Sequence, residues 1–479
     1  MTLLMLLEMI ASAFGDRVGV GAARLGLTYQ GLHDRAGSGA ELIRRHRARH
    51  VAYVGASDEA FPVALFASAW AGVPFLPLSY RLGDDQLRQL LANHDDVLLI
   101  AEADAVDQSR PLATTVLSIE EWNAATAEPV PAVPSTADGE DVAVLLYTSG
   151  TTAAPKAVVL RHRHLTSYVI SSVEFGGADD GDATLVSVPP YHIASVASVL
   201  SNVYSGRRLV YLPSFTPEAW LNAVRSEAIT HAMVVPTMLA RVVDRLGDRA
   251  TADVPSLRSL AYGGARMPVS VLERALVAFP ATDFVNAYGL TETSSTIAVL
   301  GPDDHRKRNR LGSVGRLVPG VEVDVRDGEL WVRGAQVSGE YLGQTAAVDR
   351  DGWFPTRDRG WVDDDGYLFI EGRADDTIIR GGENIAPAEI EDVLLTHPAV
   401  ESAAVVGLPD DEWGQCIGAA VVLRPGASVD AAGLREWART RLRSSRTPDV
   451  IAFRDALPVT ETGKLLRREV LADLLESAG

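Results

Sequence analysis

Short apolar runs alternate with helix-like stretches between residues 27 and 213. Runs such as residues 51–54 and 73–78 are separated by stretches such as residues 59–71 and 84–93. Alternation of this kind predicts a layered α/β domain with a largely parallel sheet. The chain has 479 residues, which is too long for a single hydrophobic core of ordinary size. We therefore expect roughly two to four packed units.

The last third of the chain has a different texture. Segments 322–325 and 329–333 are short alternating strands separated by Gly- and Asp-rich turns, which indicates a small antiparallel β subdomain at about residues 314–374. A compact mixture of strands and helices follows. The sequence thus predicts an α/β fold with a large N-terminal domain of layered sheets, residues 1–374, and a small α+β C-terminal domain, residues 375–479.

The composition excludes several classes of protein. A formal charge of −19, from 44 basic and 63 acidic residues, argues against nucleic acid as a main partner. The apolar start, residues 1–10, carries Glu8 and lacks a basic region, so we predict a buried helix rather than a signal peptide. The sequence has no apolar run long enough to span a membrane. The single cysteine, Cys416, fits a reducing environment, so we expect a cytoplasmic enzyme.

Residues 147–157 read Tyr-Thr-Ser-Gly-Thr-Thr-Ala-Ala-Pro-Lys-Ala and follow an apolar strand. Small residues let backbone N–H groups approach phosphate, hydroxyls donate hydrogen bonds, and an ammonium offsets the charge. A Walker A loop is excluded, because Pro155 and Ala157 flank the lysine where that motif needs Gly and Ser or Thr. The loop therefore predicts a different phosphate site, with these candidate ligands: Thr148, Ser149, Gly150, Thr151, Thr152 and Lys156.

Lysine is rare in this chain, and its placement is informative. Only three of the 44 basic residues are lysine, namely Lys156, Lys307 and Lys464. Two of them, Lys156 and Lys464, lie in Gly- or Thr-rich turns. A compact, rotatable ammonium suits a moving phosphoryl or carboxylate oxygen better than a planar guanidinium does. The alternative is that both are ordinary surface lysines.

Five further motifs occur in a fixed order: Ala-Tyr-Gly-Leu-Thr-Glu-Thr at 287–293, Gly-Trp-Phe-Pro-Thr-Arg-Asp at 352–358, Gly-Arg-Ala-Asp-Asp at 372–376, Gly-Gly-Glu-Asn-Ile at 381–385 and Gly-Lys at 463–464. With the phosphate loop, they resemble the adenylate-forming (AMP-binding) superfamily. That superfamily comprises acyl- and aryl-CoA synthetases, peptide-synthetase adenylation domains and firefly luciferase. The resemblance implies ATP and Mg²⁺ as cofactors, and CoA as a co-substrate.

The resemblance also implies roles for residues of the nucleotide site. Asp358 is expected to bind the ribose hydroxyls with Arg373 nearby, Thr291 to reach phosphate, and Glu292 to hold Mg²⁺. Lys464 is expected to neutralise charge in the adenylation step, carried on a mobile C-terminal lid (residues 375–479) that turns about the hinge Asp375. The ring of Tyr288 offers adenine a stacking face. The remaining nucleotide-site candidates are Gly263, Gly264, Ala265, Asn286, Ala287, Gly289 and Gly382.

The acid pocket is expected among aromatic, small and apolar side chains. His192 is expected in its wall, with a part in catalysis. Peptide-synthetase adenylation domains have an Asp near this point that pairs with the amino group of the substrate. This chain has no Asp at residues 193–196, so an α-amino acid is disfavoured as its substrate. Arg266 either begins a helix or binds a second carboxylate. By resemblance the pocket contains Tyr191, His192, Ser195, Met238, Tyr262, Gly264, Ser294 and Ser295.

Two departures from the family pattern bear on activity. Ala153 and Ala157 stand where the loop usually has Gly, which costs about 1 kcal/mol or more wherever a positive φ is required. Segment 443–448 stands where CoA ligases often have an aromatic–Lys–x–Pro sequence. We expect an acyl- or aryl-acid:CoA ligase. The alternatives are transfer to a carrier-protein thiol or an amine, and a catalytically silent nucleotide-binding relative. The oligomeric state stays open.

Overall fold

The computed structural model describes residues 1–109, 112–131, 133–148, 156–247, 251–460 and 464–478. Strands in these ranges form two large sheets, a smaller antiparallel sheet and two C-terminal sheets. In chain order the strands are β1 Val18–Val20, β2 Leu27–Thr28, β3 His50–Val54, β4 Phe75–Pro77, β5 Val97–Ala101, β6 Thr115–Ser118, β7 Val142–Thr148, β8 Lys156–Arg161, β9 Ala183–Val186, β10 Arg208–Tyr211, β11 His231–Val234, β12 Ser259–Gly263, β13 Asp283–Leu290, β14 Ser295–Leu300, β15 Arg316–Leu317, β16 Val321–Arg326, β17 Glu329–Gly334, β18 Phe354–Val362, β19 Leu368–Arg373, β20 Ile378–Arg380, β21 Glu383–Ile385, β22 Val400–Asp410, β23 Gly414–Leu423 and β24 Val450–Phe453.

Helices cover the large sheets and fill the space between them. In the same ranges they are α1 Leu3–Phe14, α2 Tyr29–Arg45, α3 Ala60–Ala71, α4 Asp84–Leu91, α5 Val106–Ser109, α6 Ile119–Ala127, α7 His162–Ser172, α8 Ile193–Ser205, α9 Pro217–Ser226, α10 Pro236–Leu246, α11 Val269–Ala278, α12 Pro302–His305, α13 Pro387–Leu395, α14 Ala431–Arg439 and α15 Arg467–Ala478.

The first large sheet has the order β15-β14-β13-β12-β11-β9-β10-β1-β2. Its strands from β13 to β1 run parallel, while β14, β15 and β2 pair antiparallel at the two sides. The second has the order β6-β5-β3-β4-β7-β8, parallel except for the β7–β8 pair. The phosphate-loop sequence lies between β7 and β8. These alternating strands and helices confirm the predicted α/β fold.

Helix α1 shows how the apolar sequence builds the core. Its leucines Leu3, Leu6 and Leu7, together with Ile10, are fully buried, and the helix contacts α2, α3 and α8. Full burial of a leucine side chain contributes about 1.5–3 kcal/mol. The helix therefore belongs to the core, as predicted from the apolar start of the sequence.

Strands β16 to β19 form a four-stranded antiparallel sheet, and β20–β21 and β22-β23-β24 form two smaller sheets packed with α13, α14 and α15. Asp375 lies in a 3₁₀ turn, Ala374–Asp376, between β19 and β20. The predicted boundary thus falls within the short connection between β19 and β20. Within the described ranges, no helix is both long and apolar enough to cross a membrane.

Candidate active site

The carboxyl ends of four neighbouring parallel strands meet at one edge of the first large sheet. Strands β9, β11, β12 and β13 lie side by side, with Tyr262 opposite Asn286 and Gly263 opposite Ala287. The segments that follow β9 and β11 contain His192 and Met238. Ligands of open α/β sheets bind in the crevice outside the carboxyl ends of strands. The structure thus gathers the acid-pocket and nucleotide candidates at one edge.

Asp358 is a buried carboxylate with two fixed partners. Its Oδ1 accepts a hydrogen bond from Arg373 Nη1 at 3.0 Å, and its Oδ2 accepts one from the Tyr288 hydroxyl at 2.7 Å. Asp358 and Arg373 face each other across β18 and β19. Burial raises the pKa of Tyr288, and Asp358 raises it further, so the hydroxyl stays a donor. Each carboxylate oxygen keeps a lone pair for a ligand hydroxyl.

Glu292 is held by a tyrosine that the sequence did not single out. The hydroxyl of Tyr341 donates to Glu292 Oε1 at 2.8 Å, and Lys156 Nζ lies 5.5 Å from the centre of the Tyr341 ring. Tyr341 therefore contacts both the expected metal ligand and the expected phosphate lysine. Apart from its position after Gly339 in a Gly-rich turn, nothing in one sequence signals this contact.

The backbone around Tyr341 ties the same parts together. The amide of Ser338 donates to the Glu292 carbonyl at 2.8 Å, and the amide of Leu342 donates to the Ala157 carbonyl at 2.9 Å. Ala157 lies in β8 and has no positive φ, so an alanine there carries no backbone strain. Among the loop candidates, Thr148 ends β7. Ser149, Gly150, Thr151, Thr152 and Ala153 lie outside the described residues.

Lys464 comes from the C-terminal part of the chain, yet its charged neighbours belong largely to the N-terminal part. Desolvation lowers the pKa of Lys464, and Arg373 lowers it further, whereas Asp358, Asp376 and Glu292 act in the opposite direction. Lys464 is nevertheless exposed to solvent. Lys464 therefore lies within electrostatic range of Asp358 and Glu292, the two carboxylates predicted for the nucleotide site.

Two aromatic rings pack in sequence beside His192, which immediately precedes α8. The ring of Tyr191 lies 4.8 Å from the His192 ring and 5.9 Å from the Tyr80 ring. Burial lowers the pKa of His192 to about 4, so the imidazole is neutral at pH 7. A neutral imidazole offers one donor and one acceptor rather than a charge.

The other pocket candidates differ in what their polar atoms do. The hydroxyls of Ser195 and Ser294 are buried and have no hydrogen-bond partner. Met238 is buried in the core behind the sheet edge. The hydroxyl of Tyr262 pairs with His305 Nε2 at 2.9 Å, so it is engaged inside the protein rather than free for a ligand.

The turn at Ser294 and Ser295 is strained and firmly held. Ser294 has φ 55° and Ser295 has φ 101°, values that non-glycine residues rarely adopt. Gln336 Nε2 donates to the carbonyls of Thr293 at 3.1 Å and Thr296 at 2.8 Å. A Cβ on Gly289 would lie 1.7 Å from the Ser295 carbonyl oxygen. Strained backbone of this kind clusters at functional sites.

Gly382 forms the tip of the β20–β21 hairpin. Gly381 has φ 56° and Gly382 has φ 85°, the pair of positive angles that a type I′ turn requires. Glu383, which follows, pairs with Arg446 at 2.9 Å, so this hairpin is tied to the segment that departs from the CoA-ligase pattern. At the expected hinge, Asp375 lies 3.9 Å from Arg357 Nη1.

Arg266 lies three residues before α11 begins, but its side chain is engaged by another helix. Its Nη1 donates to Asp392 Oδ1 at 2.8 Å and to the Ala388 carbonyl at 3.1 Å, and its Nη2 donates to Asp392 Oδ2. Asp392 and Ala388 both belong to α13. The guanidinium thus bridges the two parts of the chain instead of facing a second substrate carboxylate.

Comparison with known proteins agrees with this arrangement. A family model described as AMP-binding enzyme matches residues 7–342, and one described as AMP-binding enzyme C-terminal domain matches residues 389–464. The chain belongs to the AMP-binding enzyme family. The family model for the C-terminal domain begins within α13, so Arg266 and Asp392 both lie in matched parts of the chain.

Several AMP-binding enzymes resemble the chain over nearly its whole length. A feruloyl-CoA synthase of Amycolatopsis sp is 37% identical over 467 residues, covering 93% of each chain. A fatty acid–acyl-carrier-protein ligase, ScoC of Streptomyces coeruleorubidus, is 33% identical over 475 residues, covering 93% of this chain and 91% of the relative. The solved o-succinylbenzoate CoA synthetase (MenE) of Bacillus subtilis, in complex with the acyl-adenylate intermediate OSB-AMP, has a TM-score of 0.85 and 28% identity over 97% of each chain.

These findings confirm the predicted family and class of activity. The chain is an AMP-binding enzyme of the acid–thiol ligase type, which works through an acyl-adenylate with ATP as a substrate. They do not favour the non-catalytic alternative. The roles of individual residues, the domain boundary at Asp375 and the cytoplasmic location stay predictions.

Proposed function

We propose that this enzyme activates an aromatic carboxylic acid as its acyl-adenylate and transfers the acyl group to the thiol of CoA. The observation that carries the proposal is the position of Lys464. It belongs to the C-terminal lid, yet the charges of Asp358, Glu292 and Arg373 all act on the pKa of its ammonium. An adenylation site needs a positive charge there, where negative charge develops on oxygens in transit.

The residues present fit a nucleotide and a divalent cation. Asp358, fixed by Tyr288 and Arg373, accepts the two ribose hydroxyls, and Lys156 and Thr291 bind the phosphates. Glu292 offers a carboxylate oxygen oriented by Tyr341, which is the ligand type that Mg²⁺ prefers. When bound, Mg²⁺ neutralises phosphate oxygens and so lowers the cost of bringing an anion toward them.

In the first step, the substrate carboxylate attacks the α-phosphorus of ATP. A bond forms between a carboxylate oxygen and that phosphorus, the bond to the bridging oxygen of the β-phosphate breaks, and pyrophosphate leaves. Lys464 balances the charge that builds on the oxygens around phosphorus. No proton moves between acid and nucleotide, so Lys464 acts as a charge and not as an acid.

In the second step, a thiol attacks the carbonyl carbon of the adenylate. A carbon–sulfur bond forms, the bond from carbon to the AMP oxygen breaks, and the thiol proton goes to solvent. The lid turns about Asp375, which withdraws Lys464 and brings the Gly382 hairpin to the site. Glycines at the hairpin tip permit close approach of a pantetheine arm.

The chemistry of the pocket favours an aromatic acid without a second charge. His192 is neutral and packs against the Tyr191 ring, and Arg266 is engaged by α13. Feruloyl-CoA synthase, a relative at 37% identity, is named for an aromatic acid. The hydroxyls of Ser195 and Ser294, two residues predicted for the pocket, are buried and have no partner inside the protein, so a ligand could use them. We place the reaction in the cytoplasm, because ATP and CoA are available there.

A carrier-protein thiol is the second candidate acceptor. ScoC, at 33% identity, is named as a ligase to an acyl carrier protein. Segment 443–448 lacks the aromatic–Lys pattern of many CoA ligases, and Arg446 in it pairs with Glu383 and Glu389. Both candidates use the same adenylation step, and they differ only in what delivers the thiol.

The test is acid-dependent exchange of labelled pyrophosphate into ATP across a panel of hydroxy- and methoxycinnamates, benzoates, succinylbenzoate, fatty acids and amino acids. We expect exchange with an aromatic acid. Product mass is then measured with CoA and with a phosphopantetheinylated carrier protein. No exchange with any acid would overturn the adenylation proposal, exchange with fatty acids alone would overturn the aromatic class, and acylation of the carrier alone would overturn CoA.

A further inference from the structure

The contact between Arg266 and α13 links the N-terminal domain to the lid through three hydrogen bonds. Two go to the carboxylate of Asp392 and one to the carbonyl of Ala388. A guanidinium that binds both oxygens of a carboxylate fixes its orientation as well as its distance. Arg266 follows Ala265 directly, and so it extends from the segment that carries the nucleotide candidates at the end of β12.

A second arginine, Arg467, joins α13 to the part of the lid that contains Lys464. Glu391, which adjoins Asp392 on α13, accepts two hydrogen bonds from Arg467, one of them at 3.0 Å. Arg467 also donates to the Val405 carbonyl at 2.7 Å, and it begins α15 three residues beyond Lys464. Arg467 Nε further lies 3.4 Å from Asp376, next to the expected hinge. These contacts thus hold α13 against the segment that carries Lys464.

We propose that Arg266 is a positioning residue for the adenylation step, and that its ion pair with Asp392 holds the lid where Lys464 meets the site. The pair must break when the lid turns for the thiol step. Arg266 therefore sets the balance between the two half-reactions. This inference rests on the proposed function, because it concerns how that reaction is divided between two lid positions.

The accessibility of the pair sets the size of the effect. The side chain of Arg266 is 44% exposed and that of Asp392 is 34% exposed. Ion pairs at this level of exposure change an equilibrium by up to about fivefold, and a pair that uses both carboxylate oxygens belongs in the upper part of that range. Such a pair holds the lid without preventing its rotation, whereas a fully buried pair would resist release.

The experiment compares Arg266→Ala and Asp392→Asn with the unmodified enzyme in each half-reaction separately. Single-turnover pyrophosphate release reports adenylation, and thioester formation from a chemically prepared acyl-adenylate reports the second step. We expect adenylation to fall about three- to fivefold, while the thiol step keeps its rate or gains. A charge exchange, Arg266→Asp with Asp392→Arg, should recover at least half of the lost adenylation rate.

Arg333→Ala is a matched control. Arg333 donates to both oxygens of Glu322 and to the Asp351 carbonyl, and its side chain is 39% exposed, but all three residues lie within one domain. This variant should leave both half-reactions and their ratio unchanged. It separates the effect of the interface from the loss of any ion pair.

Hydrogen exchange supplies a readout that needs no substrate. The amides of residues 374–378 should exchange about three- to fivefold faster in Arg266→Ala and Asp392→Asn, and not in Arg333→Ala. Equal losses in the two half-reactions, unchanged exchange at the hinge, or a charge exchange that recovers nothing would each overturn the proposal. Failure of the unmodified enzyme to adenylate any acid would instead count against the proposed function, and the exchange measurement would still decide the role of Arg266.

Discussion

At the scale of single residues, the proposed adenylation step depends most on the charge of Lys464. It belongs to the lid, yet Arg373, Asp358 and Glu292 of the N-terminal domain all act on its charge. Its pKa is lowered, first by desolvation, so part of the cost of removing an ammonium from water is already present before substrate binds. A preorganised charge of this kind needs no rearrangement during the reaction.

Replacing Lys464 with alanine should therefore separate the two half-reactions. We expect Lys464→Ala to lower the rate of adenylation roughly 10²–10³-fold, the usual effect of removing one oxyanion-stabilising group. Thioester formation from a pre-made adenylate should persist, because the lid has then withdrawn the lysine. Rapid-quench measurement of pyrophosphate and of thioester gives the two rates. Parallel loss in both would contradict the role assigned to Lys464.

Tyr341 is the residue through which Glu292 is oriented. In Tyr341→Phe, the carboxylate loses the donor at 2.8 Å and gains rotational freedom, while the ring beneath Lys156 remains. Loss of an outer partner of a metal ligand weakens metal binding by about 10–100-fold. We expect the Mg²⁺ concentration that half-saturates ATP binding to rise by at least about tenfold, with AMP affinity in the absence of metal unchanged.

Calorimetric titration of ATP at several Mg²⁺ concentrations, without acid, measures the effect. Tyr367→Phe is the matched control, since the Tyr367 hydroxyl donates to Asp304 at 2.7 Å, outside the proposed site. An identical metal dependence in Tyr341→Phe and the unmodified enzyme would show that Tyr341 does not orient Glu292.

At the scale of elements, the strained turn after β13 depends on one glycine. The Ser295 carbonyl oxygen occupies the space that a Cβ at residue 289 would need, at 1.7 Å. Gln336 clamps the turn from the other side. Because the Gly289 backbone packs against one side of the turn and the Gln336 side chain holds the other, the strain at Ser294 and Ser295 cannot relax without moving β13 or β14.

Gly289→Ala should therefore be costly. We expect a loss of about 2 kcal/mol or more in the free energy of unfolding, and loss of pyrophosphate exchange, because the carbonyl must move. Gly312→Ala serves as a control, since a Cβ there meets no atom within 4 Å. Urea unfolding curves of the two variants decide the matter: equal midpoints for both would show that the turn adapts freely.

The sequence predicted the elements of the site better than their contacts. Local motifs predicted Asp358, Glu292 and Lys464 as members of one site, because turns and strands carry short-range signals, and the charges of both carboxylates act on Lys464 in the structure. The partners of Glu292 and Arg266 lie 49 and 126 residues away along the chain. One sequence holds no pairing signal at such separations. Arg266 was accordingly considered only for a helix start or a substrate carboxylate, and its contact with α13 emerged from packing.

At the scale of the whole molecule, buried histidines couple folding to pH. Burial lowers the pKa of five described histidines to about 4: His94, His162, His164, His192 and His231. An unfolded histidine titrates near 6.5. Between these values the unfolded chain binds more protons than the folded one, so the free energy of unfolding rises with pH in this window.

Stability should therefore be lost as the pH falls from about 6.5 towards 4, and should change little from these groups between pH 7 and 8. Urea titrations at half-unit intervals measure the free energy of unfolding. Unfolding at pH 5.5 should also take up protons, which calorimetry in buffers of different ionisation enthalpy detects. A free energy of unfolding that stays flat from pH 6.5 to 4.5 would contradict the burial of these imidazoles.

Two neighbouring carboxylates of helix α13 bind arginines from different domains. Glu391 is bound by Arg467 of its own domain, and Asp392 is bound by Arg266 of the other. In a chimera that joins this N-terminal domain to a relative's C-terminal domain, Glu391 and its partner would transfer together, whereas Arg266 would be left facing a foreign residue. Grafts that retain an acidic side chain at position 392 are therefore the ones in which an exchanged domain should still dock productively.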